Sequence, residues 1–364
     1  MKRVLFLTSI AAPYRVQFFD ELGKYMDVTV LFSDRKDAQH QRSADWYGDG
    51  EGRFHAVCLE KKLLTTGVGD LRTDVIHWLK QKWDAIVICG YSSPTAMLAI
   101  FYLRMRGIPF SMEVDGGLIR EDSRPRFLLK KMLISAADQW ISSGAWTTRY
   151  LLHYGAGEGA VAEYPFTSLR EADLAERLPS REEKDSLRRK LGITEEHMIL
   201  AVGQFIHRKG FDVLLKAAAE LPSDVAVCFV GGLPTEEYLA MQKDLGLNHV
   251  HFVGFQKKEE LRRYYDAADL FVLPTREDIW GLVVNEAMAC GLPVITTDGC
   301  VAGLELVEEG VNGRIVPVGD EKKLAQAICR TLQEDCSRMG QASLEKIRPY
   351  TIENMAKRHL EILG

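Results

Sequence analysis

At 364 residues the chain is longer than one hydrophobic core usually organises, which predicts two domains of about 150 to 200 residues each. Apolar residues make up 46% and charged residues 27%, with 30 glycines and 12 prolines, a globular composition that rules out collagen-like, coiled-coil and disordered classes. The net charge of −5 argues against nucleic acid as a partner, yet residues 1–165 carry 21 basic against 19 acidic side chains while 166–364 carry 25 against 32, so the first half is the one suited to an anionic surface.

Apolar runs such as AIVICG (85–90) and MILAVG (198–203) fall far short of the roughly 18 residues of a membrane-spanning helix. The opening MKRVLFLTSIAAPYR becomes apolar at once and reads as a first β-strand rather than a leader, so a cytoplasmic protein is expected. Cys89, Cys228 and Cys290 lie inside apolar runs, no C-x-x-C occurs, and the seven cysteines read as reduced core thiols.

Short β-branched runs alternate with stretches of helical period, the rhythm of βαβ units around a parallel sheet. Strands are expected at VLFL (4–7), VTVLF (28–32), HAVCL (55–59), AIVIC (85–89), FSMEV (110–114) and QWIS (139–142). Near Pro165 the rhythm breaks, and 166–190 read as a charged connector ending in a capped helix. It restarts with strands at 198–202, 225–230, 250–254, 270–274, 293–297 and 313–318, and with helices at 211–221, 235–245, 258–268, 281–290 and 321–334. The expectation is therefore two doubly wound α/β domains, 1–165 and 166–350. The segment 351–364 forms a helix whose Ile352, Met355, His359 and Ile362 need a surface to cover.

In open α/β sheets ligands bind where strands end and helices begin. After the strand at 270–274, TREDIWGLVVNEAMACGLPVI passes through a loop into a helix whose first turn, at Gly281 and Leu282, offers free amides to a phosphate. Glu286 sits on this otherwise apolar helix, where a carboxylate needs a partner, and a ribose diol supplies two donors; a neighbouring Arg would satisfy it equally. Asp278 stands eight positions earlier. The stretch resembles the signature of the group 1 (family 4) retaining glycosyltransferases, with Asp278, Trp280, Gly281 and Glu286 in register before A-M-A-x-G-x-P-V-I; Asp278 replaces the usual Glu. The resemblance implies that Glu286 binds the donor ribose, that Gly281 and Leu282 contact sugar and phosphate, and that Asp278 and Trp280 belong to the donor site.

The loop after 198–202, VGQFIHRKGFDVLLKAA, brings Arg208 and Lys209 to a helix N-terminus, where two cations suit a diphosphate; a solvated basic turn is the plain alternative. It resembles the family's phosphate loop with Lys209 and Gly210 in register, following Gly203. Gln204 replaces an Arg, whose charge Arg208 is expected to supply. Phe255 and Gln256 are candidate contacts for the base.

In the first half, SIAAPYRVQFF follows the first strand, and Arg15 reads either as a cation facing a phosphate or anionic acceptor or as a surface arginine. FSMEVDGG places Asp115 where many relatives carry a His: it would orient or deprotonate an acceptor hydroxyl, or it is a turn residue before Gly116. Glu113 and Tyr91 are further candidates for the same region. In SRPRFLLKKMLISAA, Arg126, Phe127, Lys130 and Lys131 are read as one outward arc and Leu128, Leu129, Met132 and Leu133 as the inward one; the outward arc would touch an anionic membrane or be a solvated face.

No G-x-G-x-x-G follows a strand, no Walker-type phosphate loop occurs and no His/Cys/Asp cluster has metal spacing, so redox and NTPase chemistry lose their usual support and no essential metal or other cofactor is expected. The resemblance implies the GT-B architecture, two Rossmann-like domains facing a deep cleft, the second holding a nucleotide-sugar donor such as a UDP-sugar and the first a saccharide or lipid-linked saccharide acceptor. The expected activity is metal-independent glycosyl transfer with retention, in bacterial-type surface polysaccharide or glycolipid assembly, by a protein that is cytoplasmic or peripheral on the inner membrane face. The competing reading is a nucleotide-sugar-binding protein of the same fold without catalysis.

Overall fold

The structure, a computed structural model, describes residues 1–34 and 52–364. It divides into two compact units, Met1–Ser168 with Tyr350–Gly364, and Leu169–Pro349.

The first unit runs β1 (Arg3–Thr8), α1 (Pro13–Leu22), β2 (Asp27–Phe32), β3 (His55–Cys58), β4 (Lys62–Thr66), β5 (Gly69–Arg72), α2 (Val75–Leu79), β6 (Ala85–Cys89), α3 (Pro94–Arg106), β7 (Ser111–Val114), α4 (Arg124–Ile134), β8 (Gln139–Ser142), α5 (Ala145–His153) and β9 (Val161–Glu163). Seven strands form a parallel sheet in the order β3-β2-β1-β6-β7-β8-β9. Its central strands are apolar on both faces because helices cover both. β1 pairs with β2 on one side and β6 on the other, so the order reverses there, and the loops at 9–12 and 90–93 open at the carboxyl ends of the reversal. The antiparallel hairpin β4–β5 was not anticipated: its strands are too short and too polar to show alternation, and Gly69, at φ 125°, makes its turn.

In the second unit a 3₁₀ turn (Glu171–Asp173) leads to α6 (Arg181–Lys190). Ser180 and Glu183 close a reciprocal cap on α6, Ser180 Oγ accepting from Glu183 N at 3.3 Å and Glu183 Oε2 from Ser180 N at 2.8 Å. There follow β10 (His197–Val202), a 3₁₀ turn (His207–Lys209), α7 (Phe211–Ala218), β11 (Val225–Val230), α8 (Glu236–Asp244), β12 (Val250–Val253), α9 (Lys258–Ala267), β13 (Leu270–Leu273), α10 (Leu282–Ala289), β14 (Val294–Thr297), α11 (Val301–Leu306), β15 (Gly313–Val316), α12 (Glu321–Gln333) and α13 (Cys336–Ile347). The six strands are parallel in the order β12-β11-β10-β13-β14-β15, reversing between β10 and β13. Under the sheet, Phe205, Phe211, Phe229 and Phe252 pack with ring centroids 5.0 to 5.9 Å apart.

The last helix, α14 (Ile352–Leu363), belongs to the first unit, where it packs on α1. Ile352, Met355 and His359 are fully buried there, and Lys2 Nζ donates to the carbonyl of Leu363 at 3.2 Å.

Candidate active site

The two loops at the reversal of the second sheet are built to touch. Gly210, left-handed at φ 67°, caps α7, and a Cβ there would lie 2.0 Å from the carbonyl oxygen of Pro274, so only glycine lets the β10 and β13 loops meet. Arg208 O then accepts from Arg276 N and Thr275 Oγ1, both at 2.8 Å, and Arg276 forks onto Asp212 at 2.8 and 2.6 Å.

This seam brings Arg208 and Lys209 together with Asp278. Lys209 Nζ donates to Asp278 Oδ2 at 2.7 Å, and Arg208 Nη1 lies 3.3 Å from the same oxygen while donating to Glu277 O at 2.8 Å. Two cations share one carboxylate, so the trio keeps a net positive charge. Lys209 is mostly buried and Arg208 nearly half exposed. Asp278 is held through its backbone, its N–H donating to Gly299 O at 2.8 Å and its carbonyl accepting from Val301 N at 3.2 Å. Gly281, at φ 106°, caps α10; no side chain does, and the first turn carries no acid, so leading amides and the positive end of the helix dipole face this crevice.

Glu286, half-buried on α10, accepts from the hydroxyl of Tyr265 at 3.1 Å. The sequence reading anticipated a diol or an arginine and missed this buried phenol on α9. Burial and the Glu286 charge push Tyr265 well above its ordinary pKa, so it remains a donor. Trp280 is buried, and its indole Nε1 donates to Asn285 Oδ1 at 2.8 Å, bracing the loop from inside. Cys300 braces it too, its thiol donating to Trp280 O at 3.1 Å. Gly203 ends β10 against Gly231, where a Cβ would meet Gly203 O at 2.9 Å. Gln204 and Phe255 are exposed on the β10 and β12 loops, Phe255 at 79%, and Gln256 donates to Gly254 O at 3.4 Å.

Four candidates of the first unit fall into two buried networks. Arg15 is neither a free phosphate cation nor a surface residue: it is 3% exposed and bound by Glu113 at 2.5 Å and Asp115 at 2.6 Å. Glu113 is fully buried and serves the interior, accepting also from Tyr164 Oη at 3.0 Å and facing His359 Nε2 at 3.7 Å. Burial works against its carboxylate, but Arg15 and His359 outweigh it and hold Glu113 well below the usual range. Asp115 is 29% exposed, accepts from Tyr164 Oη at 2.9 Å, and is raised by burial. Tyr91, just past the end of β6, bonds through its hydroxyl to that of Tyr150.

Of the arc read as membrane-facing, Phe127 and Lys130 are turned inward, while Arg126 and Lys131 are exposed. Lys130 is bound to Asp122 at 2.8 Å and lies over the rings of Tyr154 and Tyr150, and Phe127 packs on Tyr154. Arg126 pairs with Asp122 at 3.1 Å yet is 69% exposed, and Lys131 is exposed as well. Leu128, Leu129 and Met132, expected inside, are 54%, 42% and 49% exposed.

The second unit is thus doubly wound, with two cations on an acid at its sheet reversal beside the N-terminus of α10 and the Glu286 carboxylate. Residues 183–346 match the family model described as glycosyl transferases group 1. D-inositol 3-phosphate glycosyltransferase of Mycobacterium sp. (strain KMS) is 35% identical over 172 residues, 45% of this chain and 38% of the relative. D-inositol 3-phosphate glycosyltransferase 1 of Catenulispora acidiphila is 30% identical over 290 residues, 72% of this chain and 64% of the relative. The chain thus spans less than two thirds of either. Among solved structures, HepE of Anabaena in complex with UDP has TM-score 0.77 at 19% identity, covering 99% of this chain and 98% of its own. Sucrose-phosphate synthase from Thermosynechococcus elongatus has TM-score 0.74 at 20% identity, covering 99% and 98%. The fold is GT-B.

Proposed function

We propose that the chain transfers a glycosyl group from a nucleoside-diphosphate sugar to an acceptor hydroxyl, the second unit holding the donor and the first the acceptor. The observation that carries this reading is Lys209 and Arg208 converging on Asp278 at the sheet reversal. When the bond between sugar and diphosphate breaks, charge appears on the leaving phosphate, and two fixed cations with the amides of Gly281 and Leu282 would stabilise it without a metal. The ribose would lie on Glu286. HepE, of the same fold, is seen with UDP, which supports a nucleotide ligand. Retention of configuration and a role in surface polysaccharide or glycolipid assembly are parts of the same proposal, resting on the family resemblance.

The test is to incubate the protein with a panel of nucleotide sugars, with and without candidate acceptors and with and without a chelator, and to follow release of free nucleoside diphosphate. Release from one donor, unchanged by the chelator, is the expected result. Binding without turnover in every mixture would favour the inactive reading.

Peripheral membrane contact is proposed on a different face from the one the sequence suggested. α3 and α4 connect the adjacent strands β6, β7 and β8 in succession, and right-handed crossovers would put both on one face of the sheet. Phe101 and Met105 on α3, 40% and 78% exposed, join Leu128, Leu129 and Met132, with Arg104, Arg106, Arg124 and Lys131 exposed on the same two helices. Apolar side chains among cations suit an anionic bilayer. Co-sedimentation with vesicles containing anionic lipid should fall at least several-fold when Leu128, Leu129 and Met132 are changed to Ser; unchanged binding overturns the assignment.

A further inference from the structure

Arg276 stands two residues before Asp278 in the β13 loop, and its side chain is engaged with the β10 loop rather than with the acid. Its guanidinium donates from Nη1 to His207 O and to Asp212 Oδ1, both at 2.8 Å, and from Nη2 to Asp212 Oδ2 at 2.6 Å. Its backbone N–H donates to Arg208 O at 2.8 Å. One residue therefore holds two successive carbonyls of the 3₁₀ turn that carries Arg208 and Lys209, and ties that turn to Asp212 in the first turn of α7. The turn has little of its own to hold its shape: Lys209 N donates to Ile206 O at 2.9 Å and Gly210 N to His207 O at 3.2 Å, in a geometry poorer than that of an α-helix.

Burial opposes the Asp212 carboxylate, but Arg276 outweighs it and holds Asp212 below its usual value, while the bond from Asp212 raises Arg276. The two charges cancel, so the pair adds alignment rather than attraction for an anion. With side chains 24% and 22% exposed it contributes only modestly to stability, and at the start of α7 the helix dipole still favours Asp212 when its partner is removed. What the guanidinium supplies is a planar fork that fixes a carboxylate and a carbonyl together, which an ammonium cannot reproduce.

We propose that Arg276 is a positioning residue: acting through the turn and not on the ligand, it makes Arg208 and Lys209 converge where a diphosphate would sit. This rests on the glycosyl-transfer reading and adds the group that aligns its two cations. Stabilisation of charge by fixed groups depends on their placement, and an error of about 1 Å is enough to cost one or two orders of magnitude.

The test uses the full chain, calorimetry with inorganic pyrophosphate, and hydrogen exchange of the ligand-free protein. Arg276→Lys keeps the charge and loses the fork. It should weaken pyrophosphate binding about tenfold and speed exchange at the amides of Lys209 and Gly210 by a similar factor, with β10, β13 and the thermal midpoint little changed. In a Lys209→Ala background the same substitution should cost less than about threefold, because part of what the fork aligns is gone. Wild-type affinity in Arg276→Lys, unchanged exchange in the turn, or equal costs in the two backgrounds, the mark of a general brace, overturns the inference while the glycosyl-transfer reading stands. If the wild-type chain binds neither pyrophosphate nor any nucleoside diphosphate, that reading fails and the inference with it.

Discussion

On the proposed function Lys209 stands where charge forms, and Lys209→Ala should then lower kcat on the order of a hundredfold with the thermal midpoint little changed. Near-normal turnover would remove the lysine from the mechanism. Tyr265 works one step back: its hydroxyl donates to Glu286 Oε2 at 3.1 Å, and Tyr265→Phe removes that bond. Calorimetry should show nucleoside diphosphate binding weakened by about tenfold or more, of the order of one lost hydrogen bond to a charged group, and pyrophosphate binding unaffected. Of these residues the sequence exposed those with a motif around them, Lys209, Asp278 and Glu286. It hid Tyr265, because an aromatic on an amphipathic helix looks like any core residue and only the folded layer shows what its hydroxyl meets. Arg15 misled for the opposite reason: a cation before an apolar run carries no mark of the two carboxylates, about a hundred positions away, that neutralise it.

The strands and the principal helices of the second unit were legible because two-sided burial leaves them as uninterrupted apolar runs. α4 was not, since Phe127, Leu128, Leu129, Met132, Leu133 and Ile134 put apolar side chains on overlapping arcs. Lys130 decides between the arcs by reaching Asp122 and two tyrosine rings, a tertiary choice absent from the helical period. The junction of α6 with the strand β13 shows charge fixing an element more firmly. Arg188, 2% exposed, donates to Asp269 at 2.6 Å and to Ala267 O at 2.9 Å. Burial opposes the Asp269 carboxylate, but His197, Lys184 and Arg188 hold it well below its ordinary value. Below about pH 4 the unfolded chain therefore binds the extra proton, so this stabilisation is complete above that pH and drains away as pH falls further. Asp269→Asn should cost about 3 kcal/mol at pH 7, by stranding Arg188, with the gap to wild type closing towards pH 3 in denaturant titrations.

The two units differ in how the chain builds them. The second is one continuous segment, 169–349, whereas the first needs α14 from the far end to cover α1 and to seat His359 against Phe18 and Tyr164, at centroid distances of 4.6 and 4.7 Å. A chain ending at residue 349 should keep a cooperative unfolding transition for the second unit, while hydrogen exchange in α1 and β1 accelerates by orders of magnitude; unchanged protection there would show that α14 is dispensable. The apolar stripe of 352–362 announced that a surface was needed, but its partner was beyond the reach of pattern.

Because α14 is translated after the entire second unit, the half of the protein that is made first must be finished last. The nascent amino-terminal sheet waits without its covering helix, with Phe18 and the Glu113 carboxylate lacking their His359 neighbour, through about 180 further residues, which at about 5 to 20 residues per second is some ten to forty seconds.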